Sequence, residues 1–218
     1  MKLHIFNPEH DIALAANQER FTAPHAGRRL RTDLGFIPAF WASEGDMVLV
    51  DDVEAAIEAR RHLSKFGKDV VFVTYADLKA FVFEDVESFR VDPWGWDRTI
   101  KEQLLRANSN LQPFMPSDDT LAAIREMSSR RFAAEHLLPL LREAGDEKTV
   151  GEARYCTTME DVKQTMAQNG KSVLKSPWSS SGRGVRYVET AAPDAHLEGW
   201  AANVVKRQGG IMVEPLYN

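Results

Sequence analysis

The stretch GKSVLKSPWSSSGRGVRYV, Gly170 to Val188, gathers residue types that can hold a polyphosphate. An apolar run ends in Lys175, passes through Ser179, Ser180, Ser181, Gly182, Arg183 and Gly184, and resumes as a second apolar run. Small side chains leave successive backbone N–H groups uncovered, and glycine permits the positive φ that aims several of them at one anion. Lys175 and Arg183 add positive charge. The same residues also make an ordinary solvated hairpin turn, because Ser and Gly are the commonest turn residues. Both readings stay open on the loop alone. A Walker loop is excluded, since no G-x-x-x-x-G-K-[ST] occurs and a strand follows instead of a helix. Ser179 to Arg183 has no apolar anchor and is expected to be loosely held without a ligand, whereas Trp178 should be better fixed, either shielding the loop or anchoring the hairpin.

A second group of candidates follows the first apolar run. In NPEHDIALA, Asn7 to Ala15, the residues Glu9, His10 and Asp11 put a histidine between carboxylates, a set suited to proton transfer near neutral pH. Asp11 could equally cap a helix over IALAAN, with Glu9 and His10 solvated. In APHAGRRLR, His25, Arg28 and Arg29 near a helix start suit a carboxylate or form a solvated basic face. In PWGWD, Trp94 and Trp96 either wall a pocket or pack between domains, and Asp97 reads as the cap of the next helix.

Positioning these groups requires a folded scaffold, and the composition supports one. The chain has 218 residues, 44% hydrophobic and 27% charged, with a net charge of -5. These values exclude a disordered or low-complexity chain. The acidic balance gives no overall attraction to nucleic acid or anionic lipid. A single cysteine, Cys156, cannot form an internal disulfide and reads as structural, and no apolar run approaches the ~20 residues of a membrane span. The expectation is a cytoplasmic protein with no nucleic-acid or membrane partner, its self-association left open.

The elements follow from periodicity and punctuation. LHIF is a first strand stopped by Asn7 and Pro8. DMVLV, DDVEAAIEARRHLSKFG and KDVVFVT read as strand, helix and strand, with Asp51 or Asp52 as N-cap, Gly67 as stop, and parallel pairing. Ser88 to Val91 is a further strand ending at Pro93, and Asp97 caps a helix over Arg98 to Ala107. These elements predict an α/β, Rossmann-like domain with a small open parallel sheet over residues 1–115. LQPFMPS marks the boundary. A second, α+β domain over 116–218 begins with helices Asp118 to Met127 and Ser129 to Glu143. TVGEARYC as a strand, TMEDVKQTMAQNG as a helix ended by Gly170, and the strand KSVLKS come next. GVRYVE as a strand, the helix Asp194 to Gln208 and the strand GIMVEPL complete it.

That order of elements, with VLKSPWSSSGRGV and IMVEPLY as its specific parts, resembles over Ser128 to Asn218 the amino-terminal half of the ATP-grasp fold. The preceding Met1 to Met115 resembles the small α/β domain that precedes ATP-grasp in carboxylate–amine ligases. The resemblance implies that ATP is bound, with Lys175 at the α-phosphate and adenine edge and Arg130, or else Arg131, as the earlier basic phosphate ligand. Ser179, Ser180, Ser181, Gly182, Arg183 and Gly184 would cover the phosphates. Glu214, Pro215 and Tyr217 would form the hinge against adenine, where Pro215 keeps its carbonyl and Tyr217 supplies an N–H. It also implies magnesium, with ligands beyond Asn218 and none within 1–218, and a small carboxylate substrate activated as an acylphosphate for attack by an amine. The complete protein would then be the enzyme and this chain alone inactive. A regulatory or assembly module that binds nucleotide, or a phosphotransferase to another acceptor, fits the same residues.

Overall fold

A computed structural model of the chain describes residues 1–62, 65, 68–82, 88–145 and 151–217. The chain divides into two compact units, Met1–Ala122 and Ala123–Asn218. Helix Asp118–Met127 crosses that division.

The first unit is built on a four-stranded sheet in the order β3-β2-β1-β4. Its strands are β1 (Lys2–Ile5), β2 (Met47–Leu49), β3 (Val71–Val73) and β4 (Arg90–Pro93). Every pairing is parallel, as the strand–helix–strand pattern predicts. Side chains alternate across the pleat, so Leu3, Ile5, Met47, Leu49, Val73 and Val91 face one core with Leu78, Ile100 and Leu104. Val48, Val50 and Phe72 face another with Phe36, Ala39 and Ala56. Both faces are covered, which is the usual requirement of a parallel sheet.

The helices of this unit are α1 (His10–Ala16), α2 (His25–Leu34), α3 (Val53–His62), α4 (Tyr75–Ala80) and α5 (Arg98–Ala107). Asp52 caps α3 by accepting from the Ala55 N–H at 3.0 Å, and the expected stop at Gly67 lies outside the described residues. Asp97 caps α5 through the Ile100 N–H at 2.9 Å. Asp11 does not cap α1: the helix begins at His10, its N-cap is Glu9 without a side-chain cap, and Asp11 sits in the first turn. Helix α4 is an element that hydrophobic periodicity does not reveal. Its signal is the capping box Thr74-x-x-Asp77, in which each side chain takes the other's backbone N–H.

The second unit carries an antiparallel sheet in the order β5-β8-β6-β7. Its strands are β5 (Arg154–Cys156), β6 (Ser172–Lys175), β7 (Val185–Val188) and β8 (Ile211–Pro215). Strand β5 is shorter than the segment TVGEARYC suggests, and Thr149 and Val150 lie outside the described residues. After α6 (Asp118–Met127) come α7 (Arg130–Phe132) and α8 (Leu138–Glu143), then α9 (Met159–Asn169) and α10 (Ala195–Gln208). Leu174, Val188, Ile211 and Val213 pack on α9 and α10 through Val162, Met166, Leu197 and Ala201. The alternation turns Val173, Lys175, Met212 and Glu214 to the opposite face. Buried Cys156 is a core residue whose Sγ lies 3.6 Å from Thr165 Oγ1, and burial pushes its thiol pKa up.

The stretch Ser129 to Glu143 is helical but not one α-helix. Between α7 and α8 the chain makes a π-turn over Ala133–Leu137. Pro139 gives the reason: without an N–H it cannot donate to the carbonyl four residues back, and its ring crowds that carbonyl. Widening the turn over the preceding residues relieves the conflict without ending the helix.

Candidate functional site

In the second unit, strand β6 delivers Lys175 to the mouth of the Ser/Gly turn, and β8 delivers Glu214 beside it. The register pairs Val173 with Glu214 and Lys175 with Met212, so Lys175 and Glu214 are diagonal neighbours on one face. Their side chains meet, Lys175 Nζ donating to Glu214 Oε2 at 2.5 Å. Both line an open groove of about 490 Å³ whose other wall is Arg130 with the apolar Ala134, Leu137 and Leu138.

Arg130 holds the root of the turn. Its guanidinium donates to the Ser176 carbonyl at 2.6 Å, to Ser179 Oγ at 2.9 Å and to the Ser179 carbonyl at 3.1 Å. The Arg130 N–H also donates to the Pro177 carbonyl at 3.1 Å. Ser179 is therefore tied down, contrary to the expectation of a loosely held segment from Ser179 onward. Arg131 turns away to Glu135 at 2.7 Å and lies over the Tyr155 ring, 4.9 Å from its centroid. Trp178 anchors the hairpin: it is buried, its indole N–H donates to the Arg125 carbonyl at 2.9 Å, and its backbone N–H donates to Gln208 Oε1 at 3.1 Å.

The tip of the turn is shaped by Ser181 and Gly182, both left-handed at φ 53° and 70°. Arg183 donates back to Ser180 and Val185 to Gly182, while Ser176 donates to the Gly184 carbonyl at 2.8 Å. Among the described residues the N–H groups of Ser180, Ser181 and Gly182 donate to no protein acceptor. Successive free N–H groups in such a turn form an anion-binding concavity. Gly184 closes the turn where nothing larger fits, since a Cβ there would lie 2.3 Å from Ser179 Oγ. Gly184→Ala is expected to destabilise the chain by about 1–3 kcal/mol through this overpacking. Urea unfolding of the two proteins checks it, and equal midpoints would show that Ser179 yields freely.

Just past β8, the Leu216 N–H extends the β6–β8 pairing by donating to the Lys171 carbonyl at 3.0 Å. Pro215 ends β8, and Tyr217 is exposed.

In the first unit, the residues after β1 are brought together with those after β4. His10 does not use its sequence neighbours. Its Nδ1 meets Asp97 Oδ2 at 2.9 Å, and Asn7 donates to the same oxygen at 3.4 Å and to the Gly95 carbonyl at 2.8 Å. The imidazole lies against Gly95, where a Cβ would stand 2.2 Å from the ring. Glu9 instead pairs with Arg31, whose Nη1 donates to Glu9 Oε1 at 2.8 Å, and Asp11 belongs to neither pair. Burial pushes the Glu9 carboxyl above its ordinary value, although the Arg31 guanidinium opposes this.

A raised carboxyl value means that the ionised form is disfavoured by folding. The stability contributed by Glu9 is complete below the ordinary glutamate value of 4.5 and is lost as pH rises through the folded value. Urea unfolding of the parent and Glu9→Gln at about pH 4 and about pH 7 is expected to show the parent losing more stability over that interval. A parallel pH dependence in the two proteins would contradict the burial effect.

Among the other candidates, Arg28 reaches a pocket beside Glu9 and Arg31, whereas His25 is exposed at the first residue of α2 and Arg29 pairs with Asp33 at 3.3 Å. Trp94 is exposed and packs edge-on to Phe6 and tilted to Trp41, while Trp96 packs on the core within its own unit. Sequence reasoning missed Asn7, Arg31, Thr99 and Gln103 as site residues. Buried His4 was also missed; its Nε2 lies 3.0 Å from Asp46 Oδ2, and Nδ1 is 3.3 Å from Asp92 without hydrogen-bond alignment. Burial raises Asp46, but hydrogen bonds from His4 and the Lys2 and Ser43 N–H groups outweigh it and hold the carboxyl low.

No family model and no curated protein matches the chain. Among the solved structures it resembles, two carry ATP-grasp in their description. They include a RimK-domain ATP-grasp protein from Sphaerobacter thermophilus, 23% identical, with a TM-score of 0.38, covering 81% of this chain and 64% of its own. The ATP-grasp ligase PsnB, complexed with a minimal precursor, is 14% identical with a TM-score of 0.38, covering 81% and 65%. D-alanyl-alanine synthetase A from Vibrio cholerae is 12% identical with a TM-score of 0.40, covering 100% and 60%. The chain thus spans less than two thirds of each of these proteins.

Among the described residues no cluster of three or more His, Cys, Asp or Glu could hold a metal ion, and no helix is long and apolar enough to cross a membrane.

Proposed function

We propose that this chain is the nucleotide-holding part of an ATP-grasp ligase, which activates a small carboxylate as an acylphosphate for attack by an amine. The observation that carries this reading is the groove where Lys175, Glu214 and Arg130 meet an apolar helix wall, with Arg130 fastening the Ser/Gly turn. A purine needs a flat apolar surface and polar edges, and Ala134, Leu137 and Leu138 offer the first beside the strand end at Glu214 and Pro215. A polyphosphate needs fixed positive groups and free N–H donors. Lys175 supplies the ammonium, and Ser180, Ser181 and Gly182 supply the donors. ATP, when bound, would provide the phosphoryl group that makes the carboxylate reactive. No three His, Cys, Asp or Glu cluster among the described residues, and no step is assigned to magnesium.

Within the first unit, Asp97 accepts from the His10 Nδ1–H and orients the ring, an arrangement suited to proton transfer at Nε2.

Two measurements test the proposal. Titration of the 218-residue chain with ATP, followed by amide NMR shifts, is expected to perturb residues 179–184, Lys175 and the helix wall. Incubation of the complete protein with ATP, a panel of carboxylates and hydroxylamine traps any acylphosphate as a hydroxamate, and hydroxamate from one carboxylate would establish the chemistry. Nucleotide shifts confined to other surfaces, or none, would overturn the assignment of the groove.

A further inference from the structure

The antiparallel sheet of the second unit ends at β7, which pairs with β6 on one side only. Such an edge presents unpaired N–H and C=O groups to any other strand. The ladder fixes which groups these are. Ser176 donates to the Gly184 carbonyl, so the alternation of an antiparallel pair turns the backbone groups of Arg186 and Val188 toward β6 and those of Val185, Tyr187 and Glu189 outward. The edge is open to approach: Tyr187 is 74% exposed, and an open recess of about 470 Å³ lies beside it against Pro193 and His196.

Val185 is nonetheless closed on both sides. Its N–H donates to the Gly182 carbonyl at 3.1 Å, and its carbonyl accepts from Arg186 Nη1 at 2.8 Å. The same nitrogen donates to the Arg183 carbonyl at 3.1 Å. Arg186 leaves the strand on the face that Val188 and Leu174 turn to the helices, and its guanidinium carbon lies over the Trp200 ring of α10, 4.6 Å from the centroid. The side chain thus runs from the helix face round to the outer edge, and the tryptophan face holds the cation there. Tyr187 keeps its outward N–H and carbonyl free of protein partners.

We propose that Arg186 guards β7 against pairing with β7 of a second copy of this chain. The geometry selects that partner. An antiparallel pair related by a two-fold axis sets one residue opposite itself with both bonds exchanged, and Tyr187 is the central one of the three outward residues. Pairing centred on Tyr187 sets Val185 of each copy opposite Glu189 of the other. The Val185 carbonyl would then have to accept from the Glu189 N–H, but Arg186 already occupies it. Charge adds to the barrier, because the two Arg186 side chains would fall on diagonal positions of one face, within reach of each other. The proposal concerns the sheet edge alone and does not rest on the nucleotide groove.

The test is sedimentation equilibrium of the 218-residue chain as the parent, as Arg186→Met, and as Arg186→Met combined with Tyr187→Pro. Methionine keeps an apolar stem against Trp200 and removes the charge and every donor. Arg186→Met is expected to dimerise about ten- to a hundredfold more tightly than the parent. Its Tyr187 and Glu189 N–H groups should become protected from hydrogen exchange as protein concentration rises. Proline at 187 removes the outward N–H and leaves the bonds to β6 intact, so the double variant should return to the parent's behaviour. Arg186→Lys, whose ammonium cannot bridge two carbonyls as a planar fork does, should associate to an intermediate degree, and it decides the matter should Arg186→Met fail to fold. Association of Arg186→Met no tighter than the parent's overturns the proposal. So does association that persists with Tyr187→Pro, exchange protection confined to other segments, or, where only the lysine variant folds, association equal to the parent's.

Discussion

Lys175→Met is expected to weaken adenine nucleotide binding by about ten- to a hundredfold while the chain keeps its fold. Methionine preserves the length and apolar stem of the side chain but removes the ammonium group. The fold should tolerate this because the lost ion pair with Glu214 is partly exposed, at 29% and 24% of the side chains, and solvent can take over the carboxylate. The strand itself is held by Val173 and Leu174, which do not change. Glu214→Gln is the informative companion. It releases the Lys175 ammonium without deleting it, so nucleotide affinity should hold or rise. Calorimetric titration of ATP into the three proteins, with urea unfolding alongside, makes the comparison. Unchanged affinity in Lys175→Met would remove the groove from consideration as a phosphate site.

Arg130→Ala should free the Ser/Gly turn and destabilise the chain by about 2–3 kcal/mol, the range for losing charged hydrogen bonds at a partly buried site. Three bonds disappear together, to the Ser176 carbonyl and to both oxygens of Ser179. The carbonyl of Ser176 lies in a buried residue and would be left without its charged donor. Arg130→Lys should rescue stability only in part, since one ammonium cannot reproduce the planar fork that bridges two residues. Hydrogen exchange reads the effect directly. The protected N–H groups of Ser176, Arg183 and Val185 should exchange faster in Arg130→Ala, while those of β8 stay slow. Equal exchange rates at these three amides would show that the turn is held by its own backbone alone.

Local signals made much of this legible in the sequence. The cap Asp97 and the stop Gly170 are short-range chemistry, and each acts where its residue type predicts. The strand–helix–strand pattern implied a parallel sheet because the connection leaves no other short path. What stayed hidden depends on distance or on a conflict between rules. Nothing near His10 announces Asp97, 87 residues away, and Asp97 already had an explanation as a cap. Arg31 looked like one more charge on a basic helix, and only the path of α2 over Glu9 gives it a partner. The segment before Pro139 reads as plain α-helix by periodicity, although the proline alone signals a change of turn. Arg130 was legible as a basic residue near the turn, but its fork around Ser179 depends on tertiary placement.

On the proposed reading, Glu214 would give the groove a threshold for occupancy. A carboxylate 2.5 Å from the Lys175 ammonium is a tethered competitor for any anion that enters. A monovalent ion would have to displace it with one charge and no other contact. A ligand bearing several negative charges would surrender one contact to Glu214 while engaging the free N–H groups of Ser180 to Gly182. Discrimination by charge number would then follow from a pairing already made in the resting chain.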